Sequence, residues 1–218
     1  MANRFFEEED ISTSAETNWR VVLAEELRRR NPFRDLHAAA VYSTPEVYLY
    51  HKEHFRPYGA KLVLQMEDTG LGVGFHIERG YLWAAEAGWT LQPHWDWHHF
   101  LYLLGNDPGF VSLFKEARAA FESFSFWIRS GESDAEALSF HATHLPLAAM
   151  LGLLNGWPGH LWCDVYFATH LPRKLLLEAH DTEVIGQILQ ALQCVEPIYR
   201  AVLERKQEID ARISSIGD

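Results

Sequence analysis

The chain has 218 residues, 48% of them hydrophobic and 22% charged, and its 19 Lys and Arg against 30 Asp and Glu give a formal net charge of −11. Such a composition excludes wholesale disorder, and the length fits one large domain whose core needs no disulfide or metal as a staple. The acidic balance argues against a general nucleic-acid binder, which needs a basic footprint to displace counterions from phosphates, and equally against an anionic membrane surface.

Residues 1–15 are polar and acidic and read as a loose tail ahead of a single domain over 16–218; Met1 to Asp10 lacks the apolar segment of a secretory signal. Thr17 to Arg30 predicts a helix with Trp19, Val22, Leu23 and Leu27 on one stripe, stopped by Asn31 and Pro32. The basic triplet Arg28, Arg29 and Arg30 follows Glu25 and Glu26, the pattern of a solvated helix face. Phe33 to Ala40 is a second short helical segment. Then the period changes. Val47 to His51 and Ala60 to Glu67 are β-rich runs, and Asp68, Thr69 and Gly70 form a turn. Leu71 to Glu78 alternates strictly: Leu71, Val73, Phe75 and Ile77 face the interior, while Gly72, Gly74, His76 and Glu78 look outward. Arg79 and Gly80 make a further turn, and Tyr81 to Ala87 continues as an edge strand.

Pro93 opens a helix from His94 to Leu104. Asp107 caps another that starts at Pro108, expected to run to about Ser130 and to end at Gly131. Ser133 and Glu136 have the spacing of a capping box, predicting a helix that Pro146 kinks and Asn155–Gly156 stops. Leu161 to Thr169 is a late strand, with Leu161, Cys163, Val165 and Phe167 on one face. Thr182 to Ile213 closes the chain as a helix bent at Pro197. The expected class is α+β: a single domain with an antiparallel sheet of about four strands, a meander plus the late strand, helices mainly on one face and a long helical C-terminus. Beyond Pro197, the residues Ile198, Val202, Leu203 and Ile209 suit folding back or pairing with a second copy as a homodimer.

Cys163 and Cys194 form no CxxC and sit among apolar neighbours, as buried thiols in a reducing cytoplasm do. The longest apolar stretch, Leu145 to Leu154, is about half of what a bilayer needs, so no membrane partner is expected.

Several runs resemble a family. The strand and turn GFHIERG, Gly74 to Gly80, is similar to the His-Ile-Glu-Pro-Gly segment of an uncharacterised bacterial and fungal family, a domain of unknown function of comparable length. Val47 to Leu64, VYLYHKEHFRPYGAKLVL, resembles its "FRIYRDTRF…PYKTHLG" segment. NDPGFVSLF, Asn106 to Phe114, resembles its "NDPAF" helix start. The run from Val165 to Leu203 resembles its closing strand, "LP–LL" turn and final helix. Order and spacing agree over about Val47 to Leu203. Arg79 stands where that family has Pro, its "NN–WF" segment is not evident in Leu27 to Leu36, and its Lys-rich loop is shortened to His54–Phe55–Arg56. The resemblance implies an α+β fold and no assigned activity.

Four groups of residues carry chemistry worth weighing. On the outward face of Leu71–Glu78, glycines invite close approach by a backbone or a ligand, and His76 and Glu78 point to the same side. With Arg79 at the strand end and Arg56, Tyr58 and Lys61 across the hairpin, that face suits an anionic ligand, or is a solvated sheet surface. In PHWDWHHF, Pro93 to Phe100, His94 and His98 have the helical spacing of a two-histidine metal site, without the Glu of the zinc-protease motif. His141 and His144 repeat that idea on the next predicted helix, with no further ligand indicated. Trp89, Trp95, Trp97, Trp157 and Trp162 would line a stacking pocket or, more ordinarily, a core. No phosphate loop, dinucleotide fingerprint or nucleophile elbow is present.

The leading expectation is a cytoplasmic binding or interaction module without a cofactor, its open sheet face around Arg56, Tyr58, Lys61, His76, Glu78 and Arg79 taking an unknown small molecule or protein. The alternative is a metal-dependent hydrolase holding a divalent ion through His76, Glu78, His94 and His98. A base-stacking module for nucleic acid ranks last because of the charge.

Overall fold

The computed structural model describes residues 19–30, 33–40, 46–51, 59–79, 95–121, 123–131, 138–142, 145–158 and 161–216. In chain order they form α1 (Trp19–Arg29), β1 (Leu36–Ala40), β2 (Glu46–His51), β3 (Lys61–Glu67), β4 (Gly70–Glu78), α2 (Trp95–Asn106), α3 (Pro108–Ala120), β5 (Ser125–Gly131), β6 (Leu138–Ala142), α4 (Leu147–Asn155), β7 (Trp162–Pro172), α5 (Arg173–Glu178) and α6 (Asp181–Ile216). The class is α+β. The sheet has seven strands in the order β1-β2-β3-β4-β7-β5-β6, not four, and every pairing is antiparallel. The meander β2 to β4 is as the sequence predicts, and β1 adds to it a strand where the sequence predicts a helix. The late strand β7 lies between that meander and the β5–β6 hairpin.

The β3–β4 turn closes at Gly70, whose φ of 151° lies in a region that a Cβ disfavours. Asp107 caps α3 by accepting from the amides of Gly109 at 2.8 Å and Phe110 at 3.1 Å, and Pro108 occupies the first turn.

One face of the sheet carries the core. Leu71, Val73, Phe75 and Ile77 are fully buried there, as the alternation of β4 requires. Phe75, Phe100, Phe110, Phe114, Phe124 and Phe167 form a chain of ring contacts with centroids 4.8–6.3 Å apart. The buried apolar side chains of all six helices join this one cluster, which places the helices on the same side. Ile198, Val202 and Leu203 of α6 belong to it and so pack onto their own chain, while the side chain of Ile209 lies outside the described residues. Pro197 does not end α6.

Three expected helices are corrected. Leu36–Ala40 is a strand: its Ala-rich run has helix propensity, but pairing with β2 buries Leu36 and Ala38 alternately. The helix from Pro108 stops at Ala120, and Phe124 precedes β5, a run of aromatic and β-branched residues that gains a partner in β7. Leu138–Ala142 is strand β6, so His141 stands on a strand opposite Trp127 in register. Ser133, Glu136 and His144 lie outside the described residues, as do the tail 1–15 and Tyr81–Ala87. Among the described residues no helix is long and apolar enough to cross a membrane.

Candidate functional site

The second face of the sheet is built from the residues that alternate with the core. Register sets Lys61 of β3, His76 of β4, Tyr166 of β7 and Trp127 of β5 side by side across four strands. Glu78, Asp164 and Arg129 form the row on one side of them. Tyr48, Val63, Gly74, Ala168 and Ser125 form the row on the other, followed by Glu46, Gln65, Gly72 and His170. Tyr48, Val63, Trp127 and Tyr166 pack together as a small cluster separate from the main core.

The face is closed where the alternation of β4 suggested an open one. His76 and Lys61 are each 2% exposed, Glu46 3% and Asp164 9%. His76 Nε2 lies 3.3 Å from Asp164 Oδ1, and its Nδ1 is buried with no hydrogen-bond partner among the described residues. The imidazole stacks on Tyr166 at 4.3 Å, and Tyr166 stacks on Trp127 at 4.2 Å. Lys61 Nζ sits 4.4 Å above the Tyr48 ring, a cation–π contact. Glu46 gathers two phenols: Tyr48 donates to one carboxylate oxygen and Tyr166 to the other, the latter at 3.3 Å.

Burial sets the proton inventory. It lowers the His76 pKa below the usual histidine value; the Lys61 charge adds to this, and Asp164 opposes it. Burial likewise lowers Lys61 against the pull of Glu78, Asp164 and Glu46. It raises Tyr48 and Tyr166, with neighbouring carboxylates adding to the rise, so both phenols keep the protons they donate to Glu46. A neutral imidazole, a lysine desolvated over an aromatic ring and a carboxylate held by two phenols are thus brought together on one surface.

That surface is continuous with a pocket of about 210 Å³, bordered by Trp127, Gly72, Ala168, Ser125, Glu67 and His170 among others. Trp127 belongs both to the stacked array and to the pocket wall. Gly74 and Gly72, alike in sequence, differ here. A Cβ at Gly74 would lie 2.2 Å from the Phe167 carbonyl oxygen, so β7 itself occupies that space. At Gly72 the nearest atom to a Cβ is the Gln65 carbonyl oxygen at an ordinary 3.6 Å.

Of the residues expected to form a site, Lys61, His76 and Glu78 share this face, Glu78 being half-buried. Arg79 serves elsewhere: its Nη1 donates to the carbonyls of Trp157 at 3.0 Å and Pro158 at 3.2 Å, tethering the segment that follows α4. Arg56, Tyr58 and His94 lie outside the described residues. His98 is exposed on α2, whose buried Trp97, Phe100, Leu103 and Leu104 join the core on the opposite side of the sheet from His76. His98 therefore stands apart from His76 and Glu78, and the described residues contain no cluster of three potential ligands. His99 is tied by Nδ1 to the Val202 carbonyl at 2.9 Å. Asp96 accepts from the Ala60 amide at 3.0 Å. Cys163 is buried and burial raises its pKa, an inert thiol.

Glu46, Tyr48, Asp164, Tyr166 and Trp127 were not among the expected site residues. Asp164 and Tyr166 were legible in principle, since they alternate with Cys163, Val165 and Phe167. Trp127 was hidden by the assignment of its segment to a helix. Trp97 is buried in the main core, whereas Trp162, also buried, alternates onto the second face with the Arg129 guanidinium 5.3 Å over its ring. No family model matches the chain, and no curated protein is found to be similar to it.

Proposed function

We propose that this protein is a binding module and that the second sheet face, centred on Lys61, His76, Glu46 and Asp164, is where it binds. The observation that supports this is the concentration of four nearly buried ionisable side chains on the face opposite the helices, beside a pocket that shares Trp127. Buried charge is costly to fold and seldom repaid in stability, whereas perturbed ionisable groups cluster where ligands are handled. Neutral His76, facing Asp164 through Nε2, has in its buried Nδ1 a proton-accepting nitrogen without a hydrogen-bond partner among the described residues. Among the described residues the face carries the three carboxylates of Glu46, Glu78 and Asp164 against the two cations of Lys61 and Arg129, a slight excess that favours neutral or cationic ligands.

The test replaces one opposite-charge pair by neutral near-isosteres, Lys61→Met with Glu46→Gln, and leaves the net charge of the cluster unchanged. A fragment screen read by thermal shift on the wild-type chain should yield binders that the double variant loses. Its own melting temperature should stay level or rise, because replacing buried opposite charges with packed neutral groups is commonly neutral or stabilising by about 1–4 kcal/mol. A double variant that loses several kcal/mol and retains every binder would show that the charges serve the fold, and the binding reading would fall.

A further inference from the structure

Resting on the reading of the second sheet face as a binding surface, we propose that His76 is its acid-operated latch: the neutral imidazole keeps the face closed, and a proton on Nδ1 opens it. Three observations carry this. First, the imidazole has two nitrogens and one hydrogen-bonding partner. Nε2 faces the Asp164 carboxylate at 3.3 Å, so Nε2 bears the proton of the neutral ring. Nδ1 is then the lone pair that acid protonates, and it is buried with no hydrogen-bond partner among the described residues. The new N–H would find no acceptor, and an unmet donor on a buried charged group is costly to a fold.

Second, the ring is held at the centre of the array. Tyr166 stacks on it at 4.3 Å, and Tyr48 lies nearly parallel to it at 6.3 Å with 15° between the planes. The hydroxyls of both tyrosines converge on Glu46. Displacing the imidazole therefore loosens both phenols and the carboxylate they share. The other side of β4 is anchored: Phe75 and Ile77 are fully buried in the core, and ladders to β3 and β7 hold the strand along both edges. The opening is thus confined to the side chains of one face.

Third, the charges around the ring do not offset that defect. From β3, Lys61 stands beside His76 in register, and its ammonium already occupies the Tyr48 ring face. From β7, Asp164 attracts the proton, but its contact is with Nε2 and exists before the proton arrives. From β2, Glu46 attracts it too, but is engaged by the two phenols. Glu78 of β4 and Arg129 of β5, of opposite sign, flank Asp164 in the next row. Burial and then Lys61 lower the His76 pKa against the pull of Asp164 and Glu46. Glu78 and Arg129 are half-buried, so their row is the side from which solvent delivers the proton.

Hydroxyl-radical footprinting of the full chain, read by mass spectrometry between about pH 7.5 and pH 5, tests this in a range where ordinary carboxylates stay ionised. Labelling of Tyr48 and Tyr166 should rise several-fold as the pH falls below about 6.5, while Phe75 and Phe167 on the core side stay protected. His76→Gln, which can still face Asp164 but takes up no proton, should keep both tyrosines protected throughout. Lys61→Met removes the neighbouring like charge and should move the onset of labelling upward by about 1 pH unit; it keeps the test decisive should His76→Gln fail to fold. Tyrosine labelling that stays flat in the wild type, that rises equally in His76→Gln, or whose onset is unmoved in Lys61→Met overturns the latch. So does labelling of Phe75 and Phe167 that rises in step with the tyrosines, which is loss of the fold and not opening of one face. Flat labelling alongside fragments that the Lys61→Met/Glu46→Gln chain loses removes the latch and leaves the face as the binding surface. Opening without any such fragment keeps the latch and removes the binding reading.

Discussion

Gly74 of β4 and Phe167 of β7 approach so closely that a Cβ on the glycine would stand 2.2 Å from the phenylalanine carbonyl oxygen and 2.6 Å from the Ala168 Cβ. This contact sits at the middle of the sheet, where the meander joins the strand that returns much later in the chain. The substitution Gly74→Ala therefore forces the two central strands apart and should destabilise the protein by about 2–4 kcal/mol, the upper part of the range for overpacked sites. Gly72→Ala, two residues away on the same face, should be neutral or stabilising by up to about 1 kcal/mol, because a Cβ fits there and the unfolded chain loses freedom. Chemical denaturation of the two variants checks the contrast; equal losses would mean that the pocket floor is as tightly packed as the β4–β7 seam.

His76 should make stability fall on acidification. Its pKa in the folded chain is depressed, chiefly by burial and then by Lys61, with Asp164 opposing. The unfolded chain therefore takes up the proton first. Stability is fully present above the ordinary histidine value of about 6.5 and declines as the pH drops below it, by at most about 1.4 kcal/mol per pH unit for one proton, until the folded pKa is passed. Urea titrations between about pH 7 and pH 5, where carboxylates contribute little, should show this slope in the wild type and a smaller one in His76→Gln. An unchanged slope in the variant would assign the acid sensitivity to other groups.

Tyr199 couples the final helix to the end of strand β2. Its hydroxyl accepts from the His51 amide at 2.6 Å across a separation of 148 residues, and the ring is fully buried in the core. Removing only the oxygen, Tyr199→Phe, leaves that amide without its acceptor and should cost about 1–3 kcal/mol while leaving the ring packing intact. Hydrogen exchange at the His51 amide should rise in the same variant. A cost below about 0.5 kcal/mol would mean that water takes over the acceptor's role.

The alternation from Leu71 to Ile77, the turn at Asp68–Thr69, the Asp107–Pro108 helix start and the stripe of the last helix were all legible without coordinates. Each depends on residues only a few positions apart, through side-chain direction, a cap or a fixed φ. The strands β1, β5 and β6 were not, because runs such as LHAAA and LSFHA have no strong local preference and become strands only when a neighbour offers a ladder. For the same reason the chain order did not reveal that β7 lies against β4 and β5. That pairing alone sets Asp164 and Tyr166 beside His76, and Trp127 beside Tyr166. Local periodicity determined which side chains of β4 leave the core; whether they met water or a buried array of charges and rings was decided by contacts between segments some 90 residues apart, a distance over which no sequence pattern carries information about neighbours.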